Sequence, residues 1–251
     1  MNKYNVVMEM NDSTVVTEYE PVKRKSDSYQ SEQVLENEFI RMLTEQGYDY
    51  LEIHDSESLI KNLRTQLEIV NDGTSKNITL IDKKCIHNNR LQVINQYVEN
   101  SGNYDNRYDV TILVNGLPLV HIELKRRGVA LKEAFNQINR YQRDSFWAGS
   151  GLYEYIQIFV ISNGTSTKYY SNTTRESHIK EQTSTRNKSK KTSNSFEFTS
   201  YWADSNNKVI SDLVDFTRTF FAKHTILNIL TKYCVFTSED LLLVMRPYQI
   251  V

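Results

Sequence analysis

The sequence predicts an α/β fold, with a mixed central β-sheet flanked by helices. Three observations carry that expectation. Two β-branched runs, YDVTILV and LVHIELK, are joined by Asn115-Gly116, a pair of residues that favours a tight hairpin turn. An amphipathic stretch, ALKEAFNQINRYQRDSFW, follows them directly and reads as a long helix over about 130–147. Further strand and helix patterns lie on both sides without a regular βαβ alternation, so the sheet is expected to mix parallel and antiparallel pairs.

The first 28 residues are polar and read as an N-terminal arm. SEQVLENEFIRMLTEQGY then predicts a helix capped by Ser31 and stopped by Gly47, with Leu35, Phe39, Met42 and Leu43 on one face. A second helix is expected over 57–70, closed by Asn71-Asp72-Gly73. NITLID (77–82) reads as a short strand, and RLQVINQYVEN (90–100) as a helix. After the central hairpin and its helix, IQIFVIS (156–162) is a continuous apolar run, the mark of a strand covered on both faces. TKYYSN is its expected neighbour. Residues 171–195 form a Ser/Thr/Asn/Lys-rich tract with RNKSKK at 186–191, expected to be a mobile basic loop. FEFTSYW reads as a strand and 208–235 as one or two helices, before LLLVMRPYQIV closes the chain.

Composition narrows the function classes. Lys+Arg 30 against Asp+Glu 31 leaves a net charge of −1, so any surface that meets a polyanion has to be local. No run of about 18 apolar residues is present for a membrane span. The two cysteines, Cys85 and Cys234, are too few for a disulfide scaffold or a cysteine zinc site, and they suggest a reducing cytoplasm. The G-x-x-x-x-G-K-[ST], G-x-G-x-x-G and G-x-S-x-G patterns do not occur.

The chemistry concentrates in the hairpin. Val110, Ile112 and Val114 share one face of the first strand, and Val120, Ile122 and Leu124 one face of the second. Keeping both sets on one side of the sheet requires even-numbered residues to pair with even. A three-residue loop, Asn115 to Leu117, satisfies that requirement and sets Asp109 across from Glu123, with Cβ atoms about 5 Å apart. Two carboxylates that close repel, and a hard divalent ion such as Mg²⁺ with oxygen ligands is the natural occupant between them. Lys125, two residues on, can hold water or neutralise charge on a reacting phosphate. His121 shares the face of Glu123 and reads as a hydrogen-bonded flank.

RYD at 107–109 and ELK at 123–125 resemble the signature of the PD-(D/E)XK nuclease superfamily, with Tyr108 standing where the superfamily has its Pro. Gln137 and Tyr141 in QINRY, one helical turn apart, resemble the Q-x-x-x-Y element that follows that signature in the RecB-like branch. The wider wording is similar to the amino-terminal part of type I restriction R subunits, from about Tyr29 to Val251. It covers NRYDVTILVNGLPLVHIELKRRGVALKEAFNQINRY, FVISNGT (159–165) and LLLVMRPYQ. One departure lies between about 70 and 77, where that family has a longer segment.

The resemblance implies a PD-(D/E)XK core over 29–235 and a junction over 236–251 leading to a helicase-like ATPase motor that this chain lacks. It implies Mg²⁺-dependent hydrolysis of double-stranded DNA in the cytoplasm, within a complex containing methyltransferase and specificity subunits, with ATP used only by the motor. Asp109 and Glu123 would bind metal, helped by the Leu124 carbonyl, and Lys125 would orient or activate water. Gln137 and Tyr141 would position the DNA backbone, and Glu36, on the first helix, would be a further acid at the metal. Lys125, Arg126, Arg127 and Lys132 flank the site and are expected to meet phosphates. Gln249, in RPYQ, would touch a nucleotide base. Two alternatives stand beside this reading: a non-catalytic docking or DNA-binding module of the same fold, and a stand-alone, resolvase-like nuclease.

Overall fold

In the computed structural model the described residues are 6–10, 13–16, 30–71, 78–100, 105–146, 150–172, 196–238, 242–246 and 249. The sheet has six strands in the order β3-β4-β5-β6-β7-β8: Asp49–Tyr50, Leu91–Glu99, Asn106–Val114, Leu117–Leu124, Ile158–Ser162 and Thr167–Ser171. Pairs β3·β4 and β6·β7 are parallel and the other three antiparallel, so the sheet is mixed as expected. In the N-terminal arm, β1 (Val6–Met10) and β2 (Ser13–Val16) pair antiparallel. The expected basic loop, from residue 173 to 195, lies outside the described residues.

Each face of the sheet has its own core. On one, Val93, Val110, Ile112, Val120, Ile122 and Val160 meet helix α1 (Glu32–Glu45) through Phe39, Met42 and Leu43. The same core takes in α4 (Leu213–Thr219), α5 (Lys223–Asn228) and the π turn Ile229–Tyr233 through Phe216, Phe220 and Leu227. On the other face, α3 (Leu131–Asp144) packs Leu131, Ala134, Phe135, Ile138 and Tyr141 against Tyr108, Phe159 and Ile161. Burying each large side chain of this kind contributes roughly 1.5–3 kcal/mol. Ser31 caps α1 by accepting the Val34 N–H, as the sequence predicts. Helix α2 (Ser56–Val70) begins on an Asp55 cap.

Four local expectations are corrected. Residues 91–99 are a central strand, not a helix, with Leu91, Gln92, Val93 and Ile94 all buried. A strand covered on both faces loses its alternation, and its apolar spacing then fits a helix equally well. Residues 78–82 form no strand: Asn71 holds the Thr79 N–H and carbonyl, and Asn115 Nδ2 donates to the Leu80 carbonyl. Side-chain amides there supply what a neighbouring strand would have given. FEFTSYW folds as a 3-10 turn (Phe196–Phe198) followed by the two-residue strand β9 (Trp202–Ala203).

The fourth correction concerns the hairpin turn. Val114 pairs with Leu117, so the loop is the two-residue Asn115-Gly116, with φ of +50° and +81°. Those values suit the primed turn that matches strand twist. A β-bulge then inserts Leu119, because Leu113 pairs with Pro118 and Ile112 with Val120. The extra residue restores even-with-even pairing, and Val110 faces Ile122 as the hydrophobic pattern requires.

Candidate active site

Beyond Val110↔Ile122 the β5·β6 ladder stops. β5 goes on pairing with β4 as far as Asn106↔Glu99, and β6 with β7 as far as Leu124↔Ser162. The central strands therefore fork, and Asp109 and Glu123 stand on opposite prongs. Both β4 and β5 change faces at this level. Ile94 and Tyr97, three apart, lie in one core, whereas Tyr108 and Val110, two apart, lie in different cores. The switch on β4 sits at Gln96, a non-glycine residue at φ +51° that lies opposite Asp109.

Asp109 Oδ2 accepts the Leu124 N–H at 2.9 Å, which ties the two prongs together. Glu123 is fully buried, and its Oε1 accepts from Lys125 Nζ at 3.0 Å. Its Oε2 has no hydrogen-bond partner and lies 3.4 Å from His121 Nε2. Burial and the neighbouring Glu123 charge push the Asp109 carboxyl up to about 8. Burial raises Glu123 to about 7, with Lys125 pulling the other way. Burial would lower Lys125, but Glu123, Asp109 and Glu32 outweigh it and hold the ammonium above its usual range. Two carboxyls this strongly coupled share a proton near neutral pH. Burial pushes His121 down to about 4, so beside Glu123 it is a neutral ring and not an ion-pair partner.

Gln137 and Tyr141 back this site from α3. Gln137 Nε2 donates to the Tyr141 hydroxyl, which donates to the Arg107 carbonyl at 2.9 Å, two residues before Asp109. Tyr141 is buried against Tyr108 and Phe146. Arg126 and Lys132 are exposed on the loop and first helical turn beyond Lys125, and Arg127 is half-buried, packed over Gly164. The loop is held in place by Lys125 N–H on the Ser162 carbonyl and by Asn163 Nδ2 on the Val129 carbonyl. Far from this cluster in sequence, Gln249 Oε1 accepts the Arg246 N–H at 2.8 Å.

Glu36 is buried, as a core-facing helix position requires, and its carboxylate is taken by Asn95 Nδ2 at 2.7 Å and by Gln96 Nε2. Consecutive strand residues point to opposite faces, and the left-handed backbone at Gln96 is what lets both amides reach one carboxylate. Two contributors escaped the sequence reading. Gln96 was hidden in a strand read as a helix. Glu32, the first residue of α1, accepts the Arg126 N–H at 3.3 Å and adds its charge to the field at Lys125 and Glu123; nothing local marks it apart from its neighbour Gln33.

The donor set suits a hard cation. Among the described residues no three His, Cys, Asp or Glu side chains converge as a metal cage, and the fork offers two carboxylates, one with an unpartnered buried oxygen. That is the ligand set Mg²⁺ uses when waters and phosphate oxygens complete its octahedron. No described helix is long and apolar enough to cross a membrane.

Comparison with known proteins places this chain in a family. Residues 29–178 match the model for the type I restriction enzyme R protein N terminus. The chain is 44% identical to the type I restriction enzyme EcoprrI endonuclease subunit of Escherichia coli, over 97% of this chain and 87% of that protein. It is 34% identical to the SauCOLORF180P endonuclease subunit of Staphylococcus aureus strain COL, over 89% of this chain but 26% of that protein. A putative subunit from Methanocaldococcus jannaschii, MjaIXP, is 32% identical over 47% of this chain. The chain thus spans most of the first relative and about a quarter of the second. On the family match and these identities, the chain belongs to the family formed by the N-terminal region of the type I restriction enzyme R protein.

Proposed function

We propose that this chain is the Mg²⁺-dependent, PD-(D/E)XK-type endonuclease domain of a type I restriction R subunit, hydrolysing phosphodiester bonds of double-stranded DNA. The observation that carries the reading is the fork itself, where Asp109 and Glu123 stand on diverging strands with Lys125 Nζ fixed on Glu123 Oε1. The names of its relatives support an endonuclease in a restriction system. The partners that follow are methyltransferase and specificity subunits in a cytoplasmic complex, and an ATP-driven motor outside this chain to which Gln249 would offer a base contact. Site recognition then lies elsewhere in the complex, and this domain needs only phosphate contacts.

In this reading Asp109 and Glu123 hold Mg²⁺, with the Leu124 carbonyl available as a further oxygen. The bound ion supplies a Lewis acid for the scissile phosphate and a water of lowered pKa. Lys125 stays protonated at neutral pH and so acts as a cation and donor, orienting water and offsetting charge that develops on the phosphate. Tyr141 fastens the Arg107 carbonyl and through it the strand that carries Asp109, while Gln137 orients the Tyr141 hydroxyl. Arg126, Arg127 and Lys132 lie where a phosphate backbone entering the fork would pass.

The test is DNA cutting by the assembled restriction complex carrying Asp109→Ala, Glu123→Ala or Lys125→Ala. Each should abolish cutting while ATP hydrolysis by the complex stays near wild type, because these side chains act only at the scissile phosphate. A Lys125→Ala complex that cuts at the wild-type rate removes Lys125 from the mechanism. If all three variants cut normally, the domain is a docking or DNA-binding module instead.

A further inference from the structure

At the edge of the sheet, β8 carries a cation that the proposed chemistry leaves unused. Ile161 pairs with Glu123 on one side and with Lys168 on the other, and residues directly opposite share a face. Glu123, Ile161 and Lys168 therefore form one row on the α3 side, whose ends are two strand spacings, about 10 Å, apart. Lys168 Nζ stands 4.9 Å from the centroid of the Phe196 ring and 4.7 Å from that of Tyr201. It donates to Thr199 Oγ1 at 3.2 Å. Phe196 in turn meets Phe135 of α3 edge-on, with centroids 5.5 Å apart, so the cation lies beside the helix whose first turn carries the exposed Lys132.

Lys168 differs from an ordinary surface lysine in what surrounds it. Its side chain is half-buried, and among the described residues no carboxylate pairs with it. Burial accordingly holds the ammonium below the usual lysine range, with no acid pulling the other way. A cation partly withdrawn from water and left uncompensated costs free energy until an anion arrives. The two rings fix the ammonium through its charge and take up no acceptor position. Thr199 uses one of its three N–H groups, which leaves two for an incoming oxygen. There is room for one: Thr199 and Tyr201 continue into a hollow of about 440 Å³, also walled by Asn207, Arg246 and one acid, Glu197. We propose that Lys168 is a phosphate-binding residue, its ammonium taking a backbone phosphate of the DNA duplex that runs past the fork. At a rise of about 3.4 Å per step along one strand, that phosphate lies about three steps from the one being cut. The inference rests on the reading of the fork as the place where DNA is hydrolysed.

The experiment titrates this chain into a short fluorescently labelled duplex and follows anisotropy over a series of salt concentrations, without divalent cation so that nothing is cut. The chain is wild type, Lys168→Met, Lys168→Arg or Lys61→Met, with a thermal melt of each. Methionine keeps a long, flexible side chain against both rings but carries no charge. Affinity should fall about three- to tenfold, and the slope of log affinity against log salt by about 0.9. Arginine restores the cation and should keep the wild-type slope, with affinity within about twofold. Lys61 is exposed on α2, which packs on the hairpin turn at the other end of the sheet. Lys61→Met removes the same charge far from the fork and should change affinity by less than about twofold. Equal affinity and slope in wild type and Lys168→Met would overturn the proposal, as would an equal loss in Lys61→Met. If Lys168→Met does not fold, Lys168→Gln, which can still donate to Thr199, is judged by the same two readings. Weaker binding by Lys168→Met beside normal cutting by the Asp109, Glu123 and Lys125 variants would keep the phosphate contact and overturn the reading of the fork. A wild-type chain that binds no duplex at low salt would overturn the phosphate contact, and cutting by those variants would then decide the fork by itself.

Discussion

Asp109 Oδ2 accepts the backbone N–H of Leu124 at 2.9 Å, so a carboxylate takes the place of a ladder bond where β5 and β6 part. The side chain that would bind metal is thereby also the clasp of the fork. Asp109 is half-buried, whereas Glu123 across from it is fully buried. A buried pair of carboxyls is costly to ionise, and that cost makes the site sensitive to pH and to divalent cations.

Without divalent cation, the folded chain should lose stability as pH rises. Asp109 goes from 3.8 to about 8 on folding, and Glu123 from 4.5 to about 7. Raised carboxyl values mean that the folded state binds more protons than the unfolded one. The contribution is therefore complete below about pH 4 and disappears as pH climbs through about 7 to 8. Asp109→Asn and Glu123→Gln should each flatten this dependence in thermal melts. Mg²⁺ should raise the melting temperature more at about pH 8 than at about pH 6, because it competes with protons for the same oxygens. Melts that rise with pH in the absence of metal would contradict the buried, coupled pair.

Gly116 should be intolerant of any side chain. It sits at φ +81°, and an added Cβ would stand 2.7 Å from the Leu63 Cα on α2. Gly116→Ala should cost about 2–4 kcal/mol in urea unfolding, from the left-handed backbone and the clash together. Gly128→Ala, at φ +87° with nothing within 4 Å of the added Cβ, should cost only about 1 kcal/mol. Equal losses at the two positions would show that α2 does not press on the turn.

Glu36 should matter first for stability. Its carboxylate satisfies the side chains of Asn95 and Gln96, so Glu36→Ala leaves two part-buried amides without an acceptor and should cost about 2–4 kcal/mol. Glu36→Gln keeps one acceptor oxygen and should cost about half of that. Cutting by Glu36→Gln should stay within about tenfold of wild type, against complete loss in Asp109→Ala. A Glu36→Gln variant as dead as Asp109→Ala, yet as stable as wild type, would make Glu36 a metal acid of the kind the family resemblance implies.

DNA affinity should be modest and steeply salt-dependent, since the net charge is −1 and the cations near the fork are few. Arg126→Ala and Lys132→Ala should each weaken duplex binding whatever the sequence and lower the slope of log affinity against log salt by about one. A change confined to particular sequences would mean that these side chains read bases.

The hairpin was legible because its alternation admits one register: Val110, Ile112 and Val114 have to share a face with Val120, Ile122 and Leu124. The turn and bulge that deliver that register were not, because a bulge at Leu119 leaves no mark in an apolar run. Regular pairing through the two-residue turn would mix the two faces, and the bulge is what reconciles that turn with the pattern. Strand β4 was hidden by its burial on both faces, and with it went Asn95 and Gln96. Glu36 could be placed toward the core from its helical stripe, but what it meets there depends on a left-handed residue 60 positions away. His121 could be assigned to the face of Glu123, whereas its contact with Thr111 comes from β5 and the hydroxyl of Tyr153 from the turn before β7.

The most direct test is the position of a Mn²⁺ ion in crystals of this chain soaked with the metal, read from anomalous difference density. The account predicts one peak in the fork within about 2.5 Å of carboxylate oxygens from both Asp109 and Glu123, and no peak in Asp109→Asn crystals. Density at other side chains, or none at the fork in wild-type crystals, would contradict it.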